Sequence, residues 1–197
     1  MEEFVVLVNE NDEQLGLMEK QQAHVAGLLH RAFSVFVFNS KGELLLQQRA
    51  EEKYHSPLLW TNTCCSHPRE GETYEQAAHR RLVEEMGFDC ELEEKFHFIY
   101  KAKLGEKLFE HELDYVFTGF YEGEIKINKD EVQDFQWISM DDLSADMNFN
   151  PEEVQNFRWI SMDELMVDMK SNPEKYTIWF RIIFDEYLAK LEYAGND

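Results

Sequence analysis

The segment Thr61-Asn62-Thr63-Cys64-Cys65-Ser66-His67-Pro68 sets a thiol and an imidazole two residues apart, directly after the apolar run Pro57-Leu58-Leu59-Trp60. On an extended chain residues i and i+2 point to one side, so Cys65 and His67 are expected to face one cavity. A thiol beside an imidazole suits a nucleophile with its base. It also suits a buried cysteine with an incidental histidine, and the surrounding residues decide between the two. Glu110-His111-Glu112 repeats the i, i+2 spacing with two carboxylates, and His24 and His30 lie upstream. His24, His30, His67, Glu110 and Glu112 are together the ligand types of a divalent transition metal. Any one of these histidines alone is an ordinary core or surface residue. Five such groups, paired at face-sharing spacings, favour a metal site, and no Cys-x-x-Cys pair supports a structural zinc.

The basic residues near these segments are Lys20, Arg49, Lys53, Arg80 and Arg81. They are either surface charges or a phosphate pocket, with Arg giving bidentate contacts and Lys a point charge. Glu85, one turn after Arg81, would then hold a hard cation bridging to the phosphates. Trp60, Tyr100 and Trp179 are core residues when taken singly. Around a reacting carbon, their π faces would stabilise a cation by about 0.5–2 kcal/mol each.

These groups must be positioned by ordinary elements. Phe4–Val8 reads as a strand, and Ala32–Phe38 as a buried one that returns through Asn39-Ser40-Lys41-Gly42 into Glu43–Arg49 as a hairpin. A helix follows the central motif. Thr73 and Gln76 have capping-box spacing, Gly87 stops the helix after Met86, and Ala78, Arg81, Leu82 and Glu85 share one face. Phe96–Ala102 and Glu112–Thr118 form a second hairpin, and a terminal helix runs from about Glu174 to Tyr193. Strands, a helix, more strands and terminal helices predict an α/β (α+β) domain with helices packed on a mixed sheet.

The formal net charge of −21 over 197 residues opposes binding to nucleic acid or to anionic membranes, both of which need excess Lys and Arg. An anionic substrate then requires a local basic pocket. Three cysteines, two of them adjacent, do not make a disulfide framework, and no apolar run reaches the length of a membrane span. A reducing cytoplasm is the expected compartment.

An internal repeat interrupts the second half. Glu131-Val132-Gln133-Asp134-Phe135-Gln136-Trp137-Ile138-Ser139-Met140-Asp141-Asp142-Leu143 recurs as Glu153-Val154-Gln155-Asn156-Phe157-Arg158-Trp159-Ile160-Ser161-Met162-Asp163-Glu164-Leu165. Each unit, at about 128–149 and 150–171, reads as a strand followed by a Ser-capped helix turn. Two copies are too few for a solenoid, so a tandem duplication within a single domain of residues 1–197 is the preferred reading over a functional lid. One copy is expected to take the native place. The other then bulges out or pairs with a neighbouring molecule.

The motif Thr61–Pro68, with His24, His30-Arg31-Ala32-Phe33, Tyr100-Lys101-Ala102, Glu110-His111-Glu112 and Trp179-Phe180, resembles the type 1 isopentenyl-diphosphate delta-isomerases over nearly the whole chain except one copy of the repeat. That family is of the Nudix fold, a mixed sheet packed between helices. A degenerate Nudix box is visible in Glu72 and in Arg80-Arg81-Leu82-Val83-Glu84-Glu85-Met86-Gly87-Phe88. Ser66 stands where the box begins with Gly, and Arg81 replaces a Glu that hydrolases use for metal. The resemblance implies interconversion of two prenyl diphosphates through a tertiary carbocation. It implies Cys65 and Glu112 as the acid–base pair, Tyr100 assisting Glu112, and Trp179, with Trp60 beside it, facing the cation. It implies Mn2+, Mg2+ or Zn2+ on His24, His30, His67, Glu110 and Glu112. Mg2+ would be held through the diphosphate by Glu85 and the Cys65 carbonyl, with Lys20, Arg49, Lys53 and Arg81 on the diphosphate and Arg80 a weaker candidate. Cys64 and Cys90 match no catalytic position. The expected partner is a small prenyl diphosphate, with no nucleic acid or membrane, and the expected state a monomer or weak dimer. The alternatives are a Nudix diphosphohydrolase, which Arg81 disfavours, and a prenyl-diphosphate-binding protein inactivated by the duplication.

Overall fold

The computed structural model describes residues 3–105, 107–138 and 162–194. The chain opens with the antiparallel pair β1 (Phe4–Val8) and β2 (Gln14–Glu19), the short helix α1 (Lys20–Ala26), and strands β3 (His30–Phe38) and β4 (Leu44–Arg49). Two short strands, β5 (Trp60–Thr61) and β6 (Cys64–Ser66), lead to helix α2 (Tyr74–Met86). A long hairpin of β7 (Leu92–Leu104) and β8 (Leu108–Phe120) precedes β9 (Val132–Ile138), and helices α3 (Met162–Ser171) and α4 (Ile178–Ala194) follow. No helix among the described residues is long and apolar enough to cross a membrane.

The central strand is β3. It pairs in parallel with β8 along its full length, from His30↔Glu112 to Phe38↔Phe120, and antiparallel with β1, β6 and β4. A strand buried on both faces is largely apolar, and from Phe33 to Phe38 β3 alternates between two cores, broken only by Ser34. Phe33, Val35 and Val37 pack with Ala78, Leu82 and Met86 of α2. Phe36 packs with Phe180, Ile183 and Phe184 of α4 and with Leu165 and Met169 of α3. The mixed sheet therefore lies between α2 and the α3–α4 pair.

Local chemistry sets the ends of α2. Thr73 Oγ1 accepts from Gln76 N at 3.1 Å, and Gln76 Oε1 accepts from Thr73 N at 3.0 Å. At the other end Gly87 sits at φ +74°, where a Cβ would fall 2.2 Å from the Lys126 carbonyl oxygen. Only glycine fits there.

Some elements depart from expectation. Helix α1 was not foreseen from the sequence; it spans under two turns, and the Glu19 carboxylate caps it by accepting from Gln21 N and Gln22 N. Strands β7 and β8 run several residues beyond 96–102 and 112–118. Helix α4 begins at Ile178 rather than near Glu174. Pro173–Lys175 makes a separate 3-10 turn, Tyr176 bridges to Trp60, and Thr177 N donates to Trp60 O at 3.0 Å.

The repeat is divided between two places. Strand β9, the strand of the first copy, pairs antiparallel with β4 from Leu44↔Ile138 to Arg49↔Val132. Helix α3 is the helix of the second copy, with Leu165 and Met169 buried. Residues 139–161, which hold the Ser139 turn of the first copy and the strand of the second, lie outside the described residues, so the expectation of a bulged or exchanged copy falls there.

Candidate active site and metal centre

The ladder between β3 and β8 assembles most of the site. His30 is opposite Glu112 in parallel register, and Ser34 of β3 is opposite Cys65 of β6. Alternation along β8 turns Glu110, Glu112 and Asp114 inward and sends His111 away, where its Nδ1 bonds the Gly27 carbonyl at 2.9 Å.

The ligating atoms of His24, His30, His67 and Glu112 all lie within 4.8 Å of one another. Each imidazole is oriented by what its other nitrogen, or the carboxylate, reaches. His30 Nδ1 donates to the Leu28 carbonyl at 2.8 Å, His24 Nδ1 meets Tyr54 OH at 3.0 Å, and His67 Nε2 bonds Glu112 Oε1 at 3.0 Å. Glu110 stands at the edge of this group, its Oε2 3.2 Å from His24 Nε2 without hydrogen-bond geometry. His24 Nε2, His30 Nε2 and Glu110 Oε2 are buried with no hydrogen-bond partner. Each such orphan costs about 1–3 kcal/mol. Imidazole and carboxylate orphans converging on one point fit a divalent cation. Burial, aided by Lys20, holds His67 well below its ordinary value, so it is a neutral ligand. Burial alone would raise Glu112, but the neighbouring His30 imidazole and the Tyr100 hydrogen bond bring it below the usual carboxylate range.

Beside this centre lies a cavity of about 140 Å3. Its thiol wall is Cys65, whose Sγ accepts from Trp179 Nε1 at 3.1 Å. Burial pushes the thiol up to about 12, with Arg49 pulling the other way. Glu112 also lines the cavity, and its Oε2 accepts from Tyr100 OH at 2.6 Å. Burial and the charge of Glu112 drive the Tyr100 phenol far above its normal range, so it stays a donor. The anion-facing wall holds Lys20, Arg49, Lys53 and Arg81. Glu85 is buried at its base, accepting from Arg81 Nε at 2.9 Å and from Gln47 Nε2 at 2.8 Å.

The duplication leaves Trp179 on the cavity, since α4 follows the copy that supplies α3. Two weaker candidates stand elsewhere. Trp60 packs into the α3–α4 core, and Arg80 is held by Glu72 at 2.7 Å and Glu84 at 3.1 Å, outside this cavity. Cys64 is fully buried in the α2-side core. Sequence reasoning missed Tyr54 and His55. His55 lines the cavity edge-on to Trp179, with ring centroids 5.5 Å apart. Its Nδ1 has no partner, and burial first, then Arg49, lowers it to about 3. It follows Lys53 in a loop whose Ser56 and Leu58 have positive φ, and that irregularity hid it.

A NUDIX domain model matches residues 28–151. An isopentenyl-diphosphate Delta-isomerase 2 of Photorhabdus laumondii is 54% identical over 75% of this chain and 84% of its own length. An isopentenyl-diphosphate Delta-isomerase of Pectobacterium atrosepticum is 55% identical over 73% of this chain and 80% of its own. A crystal structure of a Deinococcus radiodurans protein superposes with a TM-score of 0.61 at 18% identity, covering 86% of this chain and 90% of that one, which is a likeness of fold. With the domain model spanning β3, β6 and β8 and these relatives more than half identical over about three quarters of the chain, the chain belongs to the isopentenyl-diphosphate Delta-isomerases of the Nudix superfamily.

Proposed function

We propose that the protein interconverts isopentenyl diphosphate and dimethylallyl diphosphate, as the names of its relatives indicate. Two proton-carrying groups on different strands of one cavity, Glu112 on β8 and Cys65 on β6, beside four cations, carry this reading. The alkene π pair of isopentenyl diphosphate takes a proton at C4 from the Glu112 carboxyl, leaving a tertiary cation at C3. The C2–H pair then becomes the new double bond as that proton passes to Cys65 sulfur. In the reverse direction the two groups exchange roles. Tyr100 holds Glu112 in place and keeps its own proton. Burial outweighs the pull of Arg49, so at rest the thiol is protonated and Glu112 ionised, the pair set for the reverse direction; the forward direction starts with the proton on Glu112. The indole face of Trp179 stabilises the cation.

His24, His30, His67, Glu110 and Glu112 would hold a Mn2+, Mg2+ or Zn2+ ion, which when bound supplies positive charge at the Glu112 carboxylate. Glu85 and the Cys65 carbonyl would hold Mg2+ with the diphosphate, itself met by Lys20, Arg49, Lys53 and Arg81. The three free thiols support a reducing cytoplasm, where we place the enzyme as a single domain and a monomer or weak dimer. Arg81 stands where a hydrolase of this superfamily carries a Glu for metal, which disfavours diphosphate hydrolysis.

Proton NMR with isopentenyl diphosphate and Mg2+ in D2O tests the assignment. Dimethylallyl methyl signals with deuterium incorporation are expected. Cys65→Ala and Glu112→Gln should each lose about 10²- to 10⁴-fold in rate. Unchanged substrate would refute turnover, and released phosphate would identify a hydrolase.

A further inference from the structure

Four cations line the cavity, yet three of them are already engaged by carboxylates. Glu131, at the entry to β9, accepts from Lys53 Nζ and from Arg81 Nη2, the latter at 3.0 Å, through the same oxygen, Oε2. Glu3 accepts from Lys20 Nζ at 3.0 Å. Arg49 alone among the four has no carboxylate partner among the described residues; its guanidinium donates to the His55 and Ser56 carbonyls at 3.2 Å. Glu131 lines the same cavity.

We propose that Glu131 is a specificity-determining residue, an internal counter-ion that releases Lys53, and one contact of an Arg81 that Glu84 and Glu85 go on holding, only to a ligand carrying two phosphoryl groups. This rests on the diphosphate reading of the site. One carboxylate oxygen gathers two cationic donors, so an incoming anion must break two charge-assisted hydrogen bonds at once. A single phosphoryl group replaces those two bonds and little more. A diphosphate offers a second group to Arg49 and Lys20, and that surplus makes the exchange favourable.

The geometry allows the exchange without moving the strand. The Glu131 backbone is fixed, its carbonyl accepting from Ala50 N at 3.0 Å and its N–H donating to Asn128 O at 3.0 Å. Its side chain is a quarter exposed and can turn to solvent by rotation alone. Glu3 is more exposed still, 64% at the side chain, and plays a lesser part at Lys20.

Calorimetric titration of the whole protein with inorganic phosphate and with inorganic diphosphate, in Mg2+ buffer, is the test. In Glu131→Gln phosphate is expected to bind roughly 3- to 10-fold tighter. Diphosphate should gain less, so that the preference between them narrows. Unchanged or weaker phosphate binding with a native melting curve would overturn the proposal. If Glu131→Gln fails to fold, Glu131→Asp, which draws the carboxylate back from Lys53 and Arg81, must shift phosphate binding in the same direction, and no shift there would equally overturn it. Turnover of isopentenyl diphosphate by the wild type is read separately. Turnover without the anion shift removes the counter-ion alone, while the shift without turnover removes the isomerase reading and leaves the counter-ion standing.

Discussion

Trp179 meets the chemistry from two directions, since its indole N–H donates to Cys65 Sγ and the Arg49 guanidinium lies 5.1 Å from its ring centroid. Replacing it by Leu removes the π face along with the donor. At about 0.5–2 kcal/mol for a cation over an aromatic ring, kcat falls about 2- to 30-fold, whereas Phe keeps the face and most of the rate. Initial rates by NMR compare the two, and equal rates would take the ring out of the mechanism. Tyr54 acts one step further from the centre by fixing His24 through Nδ1. Tyr54→Phe is therefore expected to weaken metal binding by about 10- to 100-fold, measured by competition with a chelating dye. The sequence made the side-chain cluster legible because His67, Glu110 and Glu112 lie on or beside regular strands, where spacing reports direction. It left Tyr54 and His55 hidden because they sit in an irregular loop, where spacing reports nothing.

At the scale of elements, α2 depends on the single backbone position after its last turn. Gly87→Ala puts a Cβ against the Lys126 carbonyl in a left-handed conformation and should cost at least about 2 kcal/mol, read from urea midpoints. The junction of α3 with α4 depends on Asp168, which accepts from Asn172 at 2.6 Å, Tyr176 OH at 2.8 Å and Lys175 at 3.2 Å. Burial raises its carboxyl, but these bonds outweigh burial and hold it below the usual range. A carboxyl that is more acidic when folded contributes stability above its unfolded pKa and loses it as pH falls through the folded value. Asp168→Asn is then less stable than wild type at pH 7, and the gap closes below the ordinary aspartate value of about 3.9. Circular dichroism at the two pH values checks the sign. The same junction explains why α4 was read as starting too early. The helical composition of Glu174–Thr177 is overridden by the tertiary bridge of Tyr176 to Trp60, which no local propensity contains.

For the whole molecule, the repeat is the feature that sequence displayed most openly and explained least. It announced two equivalent units, but which half of each is used depends on the long-range contacts of β4 and α4. With β9 from the first copy and α3 from the second, deleting residues 139–160 joins Ile138 to Ser161 and restores one uninterrupted unit. The shortened chain is expected to keep the activity and, with a shorter connection to close, to gain well under about 1 kcal/mol in stability. Thermal melting and NMR turnover decide this, and a deletion that abolished either would show that the extra copy is needed. The parallel β3–β8 ladder has a consequence for how the molecule matures. His30 and Glu112 share one rung of it and His24 comes from the helix just before it, so no local segment of a nascent chain can chelate the ion. A slip of one residue would turn Glu112 to the opposite face. Capture of a divalent cation by this cluster would therefore come late and report correct strand alignment, inspecting the finished fold rather than nucleating it.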